Sequence, residues 1–285
     1  MIENIPYLLL SVSLSAGRNI ISKKTAVTYS GWGQFFFSQT LLFGCAAVLM
    51  LIFGLTDLIK ASPITWVFGG IYGVLLLLSQ WMFTLGLKNG VASVCTVVYS
   101  LGFIIPTLVG TYFWGEKLTV FGILGILIAA VIILLSAKKE KREKSKGVFL
   151  PFILVAMTAS GGLGIMQKVQ QTSVFAEEKE GFLAVAFFFA FVCSLVAFLI
   201  FSKGFSFSAK ACVAPTLTGA CFGGANLFNT ILAGRMKSAV FFPLQNVSVI
   251  LLTAVLSLLI FRERFTLKTG AVLLLGTGVI ILFSL

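Results

Sequence analysis

Apolar residues run in long stretches along this chain, broken only by short polar segments. The stretches lack both the two-residue alternation of a half-buried strand and the narrow apolar stripe of a surface helix. They lie near 5–22, 33–54, 64–87, 91–113, 119–137, 149–168, 182–202, 211–234, 239–261 and 266–285. An α-helix needs roughly 20 such residues to cross a hydrocarbon core. The pattern therefore predicts an all-α integral membrane protein with ten transmembrane helices, and it leaves no segment over for a soluble domain.

The strongest polar break, KKEKREKSKG at 138–147, falls near the middle of the chain. It divides the sequence into a first half, 1–137, and a second half, 148–285, and the second repeats the first. LGLKNGVASVCTVVYSLGFIIPTLVGTYFWGEKLT at 85–119 aligns without a gap on LAGRMKSAVFFPLQNVSVILLTAVLSLLIFRERFT at 232–266. Leu85 then pairs with Leu232, Lys88 with Arg235, Ala92 with Ala239, Glu116 with Glu263, Lys117 with Arg264 and Thr119 with Thr266. Weaker echoes set Pro6 against Pro151, Gly17 and Lys24 against Gly161 and Lys168, and Pro63 against Pro215. Five spans per half is an odd number, so the second half crosses in the opposite sense to the first, as in the inverted repeats of secondary transporters.

Composition agrees with a lipid solvent. Of 285 residues, 59% are hydrophobic and 11% charged, with a mean hydropathy of +1.07. The net charge of +12 does not point to nucleic acid, because the bases sit in the breaks rather than on a helical face or aromatic platform. They read as topology signals and as contacts to anionic lipid. In the ten-span arrangement, fifteen of the 21 bases fall on the side of the 138–147 loop, which places that loop in the cytoplasm of a multi-pass plasma-membrane protein with both termini outside. Cys45, Cys95, Cys193, Cys212 and Cys221 lie within or beside apolar runs without metal-ligand spacing, and read as small packing residues. The opening MIENIPYLLL lacks a basic n-region, so the first run is expected to be a retained span.

The duplicated ends carry a resemblance. GEKLT at 115–119 and RERFT at 262–266 each lead into a last span, and each follows a turn, LKNGVAS or GRMKSAV, that precedes the span before. In this order they resemble the drug/metabolite transporter superfamily, specifically its ten-span EamA-like branch, over essentially the whole chain. The resemblance implies a permease working by alternating access, with a central cavity lined by the third, fourth, eighth and ninth spans together with the first and sixth. Many relatives carry ionisable residues in mid-membrane; this chain has no histidine and no carboxylate well inside any predicted span.

Polar residues inside spans need partners in hydrocarbon, and substrate or cavity water can supply them. Asn226 and Asn229, three apart, share a face of the eighth span. Gln245 and Asn246 follow in the ninth, and Asn246 is the repeat mate of Tyr99 in the fourth. Gln80 and Trp81 lie in the third, and Ser15 and Asn19 in the first. These converge on the spans that the resemblance assigns to the cavity; the plain alternative is hydrogen bonding between helices. Arg18 is either a bidentate clamp for a carboxylate or phosphate, or a side chain that snorkels to the interface beside Lys23 and Lys24. Glu116 and Glu263 are expected to cap the next helix and pair with Lys117 and Arg264, with gating as their alternative role. Lys88 and Arg235 read as interface anchors that also draw anions to a cavity mouth. Pro106 and Pro243 are candidate hinges.

The function expected is secondary transport of a small polar metabolite, such as an amino acid, between two inverted repeats. Its partners are that small molecule and the bilayer, with no cofactor and no nucleic acid; a homodimer is left open. Facilitated diffusion or exchange fits a chain without a deep carboxylate at least as well as proton coupling does. A membrane-embedded lipid-modifying enzyme, or a translocator of lipid-like substrates, is the alternative; the enzyme needs clustered acids, His or nucleophile–base pairs, and the nine acids here are scattered. A non-transporting scaffold would need a partner-binding loop surface longer than the ten-residue basic linker.

Overall fold

The computed structural model describes residues 2–25, 31–89, 98–117, 119–136, 149–202, 209–260, 270–271, 274–278 and 282. Among these, about 93% are helical and none forms a strand. The helices are α1 (Ile5–Thr25), α2 (Trp32–Lys60), α3 (Pro63–Asn89), α4 (Ile104–Phe113), α5 (Val120–Ser136), α6 (Phe149–Thr172), α7 (Lys179–Phe201), α8 (Lys210–Arg235) and α9 (Ser238–Ile260). Short 3-10 turns at Leu101–Phe103 and Ala176–Glu178 lead into α4 and α7.

Among the described residues, six segments are long and apolar enough to cross a membrane: Trp32–Lys60, Pro63–Gly86, Leu150–Thr172, Ala176–Phe201, Ala211–Arg235 and Ser238–Leu256. Only 33 to 44% of each is buried within the protein, and large apolar side chains on them are exposed. Ile52, Leu199 and Leu259 are 71, 65 and 71% exposed. Side chains of this kind, exposed in such numbers, mark a lipid-facing surface. Of the remaining predicted spans, α1 is long but carries serines, Arg18 and Asn19, and α4 and α5 are shorter apolar helices. Most of 266–285 lies outside the described residues.

Helix ends follow from local chemistry. The Ser62 hydroxyl accepts the Thr65 amide at 3.2 Å at the start of α3, where Pro63 suits a first helical position. α2 runs past the predicted end at 54 through Asp57 to Lys60, a cation in the last turn that complements the helix dipole. Pro106 lies in the first turn of α4 and cannot donate to the carbonyl at position 102, and the chain just before it tightens to 3-10 geometry.

The chain forms two compact units, each drawing on both halves of the sequence. Unit 1 comprises Met1–Leu77 and Val169–Leu232. Here α2 packs antiparallel to α7, with Phe36 stacked on Phe201 at 5.3 Å, Gly44 against Phe191 and Gly54 against the Glu180 backbone. Gly69 and Gly73 bring α3 close to Val185 and Ala186 of α7, the small-xxx-small packing typical of helices in lipid. Tyr72, Phe43, Phe182 and Phe187 are fully buried in this unit.

Unit 2 comprises Leu78–Lys168 and Ala233–Leu285. Ile153 and Ala156 of α6 form a core with Met82, Phe83, Val98 and Tyr99. α4 and α6 meet closely at Gly102 and Gly161, and Gly164 of α6 lies against Pro106 and Phe242.

Candidate functional site

Three residues on one face of α8 organise the polar interior of unit 1. Phe222, Asn226 and Asn229 are spaced four and three apart, so they rise along one side of the helix. The buried Asn226 accepts a hydrogen bond from the Tyr72 phenol of α3 at 2.5 Å and gives its own amide to the Phe222 carbonyl at 2.8 Å. The Ser11 hydroxyl of α1 donates to Asn229. The Arg18 guanidinium lies over the Phe222 ring, 3.9 Å from its centroid. Phe222 in turn meets Phe187 edge-on at 5.6 Å and Phe43 at 6.4 Å.

α1 and α8 run antiparallel here, and small residues let them approach. Gly17 lies beside the Cys221 thiol and Gly224 beside Leu14, while Ala16 is fully buried. A guanidinium facing an aromatic ring gains about 0.5–2 kcal/mol, more as water is excluded. Arg18 is therefore directed at α8, within a set of uncharged polar groups that an apolar helix would not otherwise carry.

Of the other sequence candidates of the first span, Ser15 is half-buried and shares the side of α1 that carries Ser11 and Arg18, four and three residues away, and Asn19 is exposed. Tyr99, Gln80, Trp81, Gln245 and Asn246 belong to unit 2. The Tyr99 phenol hydrogen-bonds the Ser79 hydroxyl at 2.9 Å and its ring lies 4.5 Å from Phe83. Asn246 gives its amide to the Phe242 carbonyl one turn back, at 2.9 Å. Gln80 and Gln245 are buried and Trp81 is half-buried. Asn226 and Asn229 share a face as expected, but their bonds divide between two neighbours, α3 and α1.

Glu116 departs from expectation in its partners. Its ion pair is with Lys168 of α6, at 3.0 Å, with both side chains more than nine-tenths buried; Lys117 is exposed. The helix it caps is α9 rather than the following α5. Ala239 N–H donates to Oε2 at 3.2 Å and the Ser238 hydroxyl donates to Oε1 at 3.4 Å. Lys168 also donates to the Met236 carbonyl at 2.9 Å. The GEKLT segment explains this residue by residue. Gly115 takes φ +60°, a conformation that favours glycine, and turns the chain so that the Glu116 amide reaches back to Gly110 O at 3.3 Å. Thr119, not Glu116, caps α5, accepting the Gly122 amide at 3.0 Å. Glu263, in the second copy of the segment, lies outside the described residues, as does the side chain of Lys88.

Ser11, Tyr72, Phe222 and Lys168 were not singled out as site residues from sequence. Ser11 and Tyr72 had a readable signal: a polar atom within an apolar run. Lys168 was visible only as the echo of Lys24.

No protein-family model and no curated protein matches the chain. A solved crystal structure of a protein superposes on 98% of this chain and 96% of its own, with a TM-score of 0.77 and 14% sequence identity. At that identity the likeness is one of fold.

Proposed function

We propose that the chain is a ten-span membrane transporter of a small polar metabolite, built from two inverted five-helix repeats and similar to the EamA-like branch of the drug/metabolite transporters. The gapless repeat of 85–119 in 232–266, five predicted spans further along the chain, supports the architecture. The observation that carries the transport reading is the polar face of α8. Asn226, Asn229 and the Arg18-covered Phe222 run along a helix apolar enough to cross a membrane, bonded to Tyr72 and Ser11 of two other helices. Polar groups in hydrocarbon are costly, face a protein interior or aqueous cavity, and mark substrate paths.

Arg18 and the two asparagines together suit a ligand with a carboxylate and further hydrogen-bonding groups, as an amino acid has. Transport would proceed by alternating exposure of this face, with exchange or facilitated diffusion sufficient for the chemistry present.

A thermal-shift screen of detergent-purified protein against amino acids, amines, nucleosides, sugars and organic acids tests the reading, because a ligand of the folded state raises its apparent stability. A carboxylate-bearing hit whose shift disappears in Asn226→Ala supports it. A panel that is silent for well-folded protein, with stabilisation by lipid-like compounds instead, would replace the polar metabolite with a lipid-like substrate.

A further inference from the structure

The buried ion pair in unit 2 is costly to form. Removing two charges from water costs several kcal/mol each, and well-packed apolar residues in their place are often neutral or better. Glu116 and Lys168 nevertheless face one another at 3.0 Å, almost wholly out of solvent. What they hold is specific. Glu116 takes the Ala239 amide and the Ser238 hydroxyl, and Lys168 takes the Met236 carbonyl. Every one of these groups lies in the turn into α9 or in its first turn.

That first turn is separable from the rest of α9. Pro243 lies five residues after Ser238 and has no N–H, so the carbonyl of Ala239 lacks its helical donor. A mid-helix proline of this kind is an identifiable point of bending. Ser238–Phe242 is therefore bounded by a proline on one side and the short Met236–Lys237 turn on the other. Phe241 and Phe242 are buried, and Phe242 rests against Gly164 together with Pro106. The segment is continuous with the helix but short of one backbone bond where it meets Pro243, and the charge pair fastens its other end.

We propose that Ser238–Phe242 is a gate segment, hinged at Pro243 and latched by the Glu116–Lys168 pair. This deepens the transport reading and rests on it for its purpose; the latch itself is a property of the protein alone. Closed, Glu116 caps the segment and Lys168 neutralises Glu116. Open, the segment swings from α4 and α6 about Pro243, and the Ala239 amide loses its acceptor.

Hydrogen–deuterium exchange of the full-length protein in detergent, without added ligand, tests this. Amides of 238–242 exchange slowly in the wild type. In Lys168→Met, and in the double variant Glu116→Gln/Lys168→Met that leaves no lone buried charge, they exchange about tenfold faster or more, while 244–250, α4 and α6 keep wild-type rates. Lys168→Arg retains slow exchange. Unchanged exchange at 238–242 would overturn the proposal. So would a rise spread evenly over α4, α6 and α9, which would make the pair a brace of the whole unit. Neither result depends on a substrate, so the latch can fail while the transport reading stands.

Discussion

The Tyr72 phenol and the Asn226 side chain meet at 2.5 Å across 154 residues of sequence. Both are buried, and together they tie α3 to α8. Tyr72→Phe keeps the ring against Phe182, 4.9 Å away, and deletes only the donor. Asn226 then keeps its bond to the Phe222 carbonyl but loses its acceptor's partner. Hydrogen bonds between membrane helices average about 0.6 kcal/mol and reach about 1.7. The expected result is a loss of this order, read as a lower midpoint of thermal unfolding in detergent; an unchanged midpoint would show that water replaces the phenol.

Arg18 separates charge from shape. Lys in its place keeps a cation but loses the planar fork and the flat contact with Phe222. Arg18→Lys is expected to lose most of the thermal shift given by a carboxylate ligand while folding normally. Arg18→Met is expected to lose all of it. Equal shifts in all three proteins would take Arg18 out of ligand binding and leave it as a structural contact.

Gly110 and Gly115 give a local test of how Glu116 is aimed. A Cβ on Gly110 would come within 2.7 Å of the Ser238 Cβ and 2.8 Å of Glu116 Oε2, both in the cap of α9. Gly110→Ala is expected to cost about 1–3 kcal/mol by overpacking. Gly115→Ala meets no neighbour, yet must adopt φ +60°, at about 1–2 kcal/mol. Thermal unfolding of the two variants should therefore fall together, though one is crowded and the other is not.

Gly69 and Gly73 bear on unit 1. A Cβ on Gly69 would meet Val185 at 2.7 Å, and one on Gly73 would meet the Ala186 carbonyl at 2.8 Å. Gly73→Leu is expected to separate α3 from α7 and to lower folded yield in membranes more than Gly70→Leu, where a Cβ finds open space. Fluorescence-detected size exclusion of the two variants provides the comparison, and equal profiles would count against the close α3–α7 contact.

Much of the helical layout was legible because lipid imposes it. The apolar runs at 33–54, 64–87, 182–202, 211–234 and 239–261 correspond to α2, α3, α7, α8 and α9, with ends displaced by up to six residues. The displacement at α2 arises because helices continue through polar interface residues such as Asp57, where apolarity stops but backbone bonding does not. The partner of Glu116 was not legible. Adjacency in sequence favoured Lys117, whereas the left-handed turn at Gly115 sends the carboxylate to α6 and α9. The polar face of α8 was half legible. The three-residue spacing of Asn226 and Asn229 announced a shared side, but nothing local could tell that Tyr72 and Ser11 would meet it. The Gly69/Gly73 pair was a readable packing signal, and its spacing alone would have brought α3 against a neighbour.

Counterflow in proteoliposomes tests the central claim most directly. Vesicles loaded with an unlabelled amino acid or organic acid and diluted into the labelled compound should accumulate label with wild-type protein. The same vesicles carrying Asn226→Ala should lose most of that accumulation while retaining folded protein. Accumulation equal to that of protein-free vesicles across the panel, or unaffected by Asn226→Ala, would contradict a transport path along the polar face of α8.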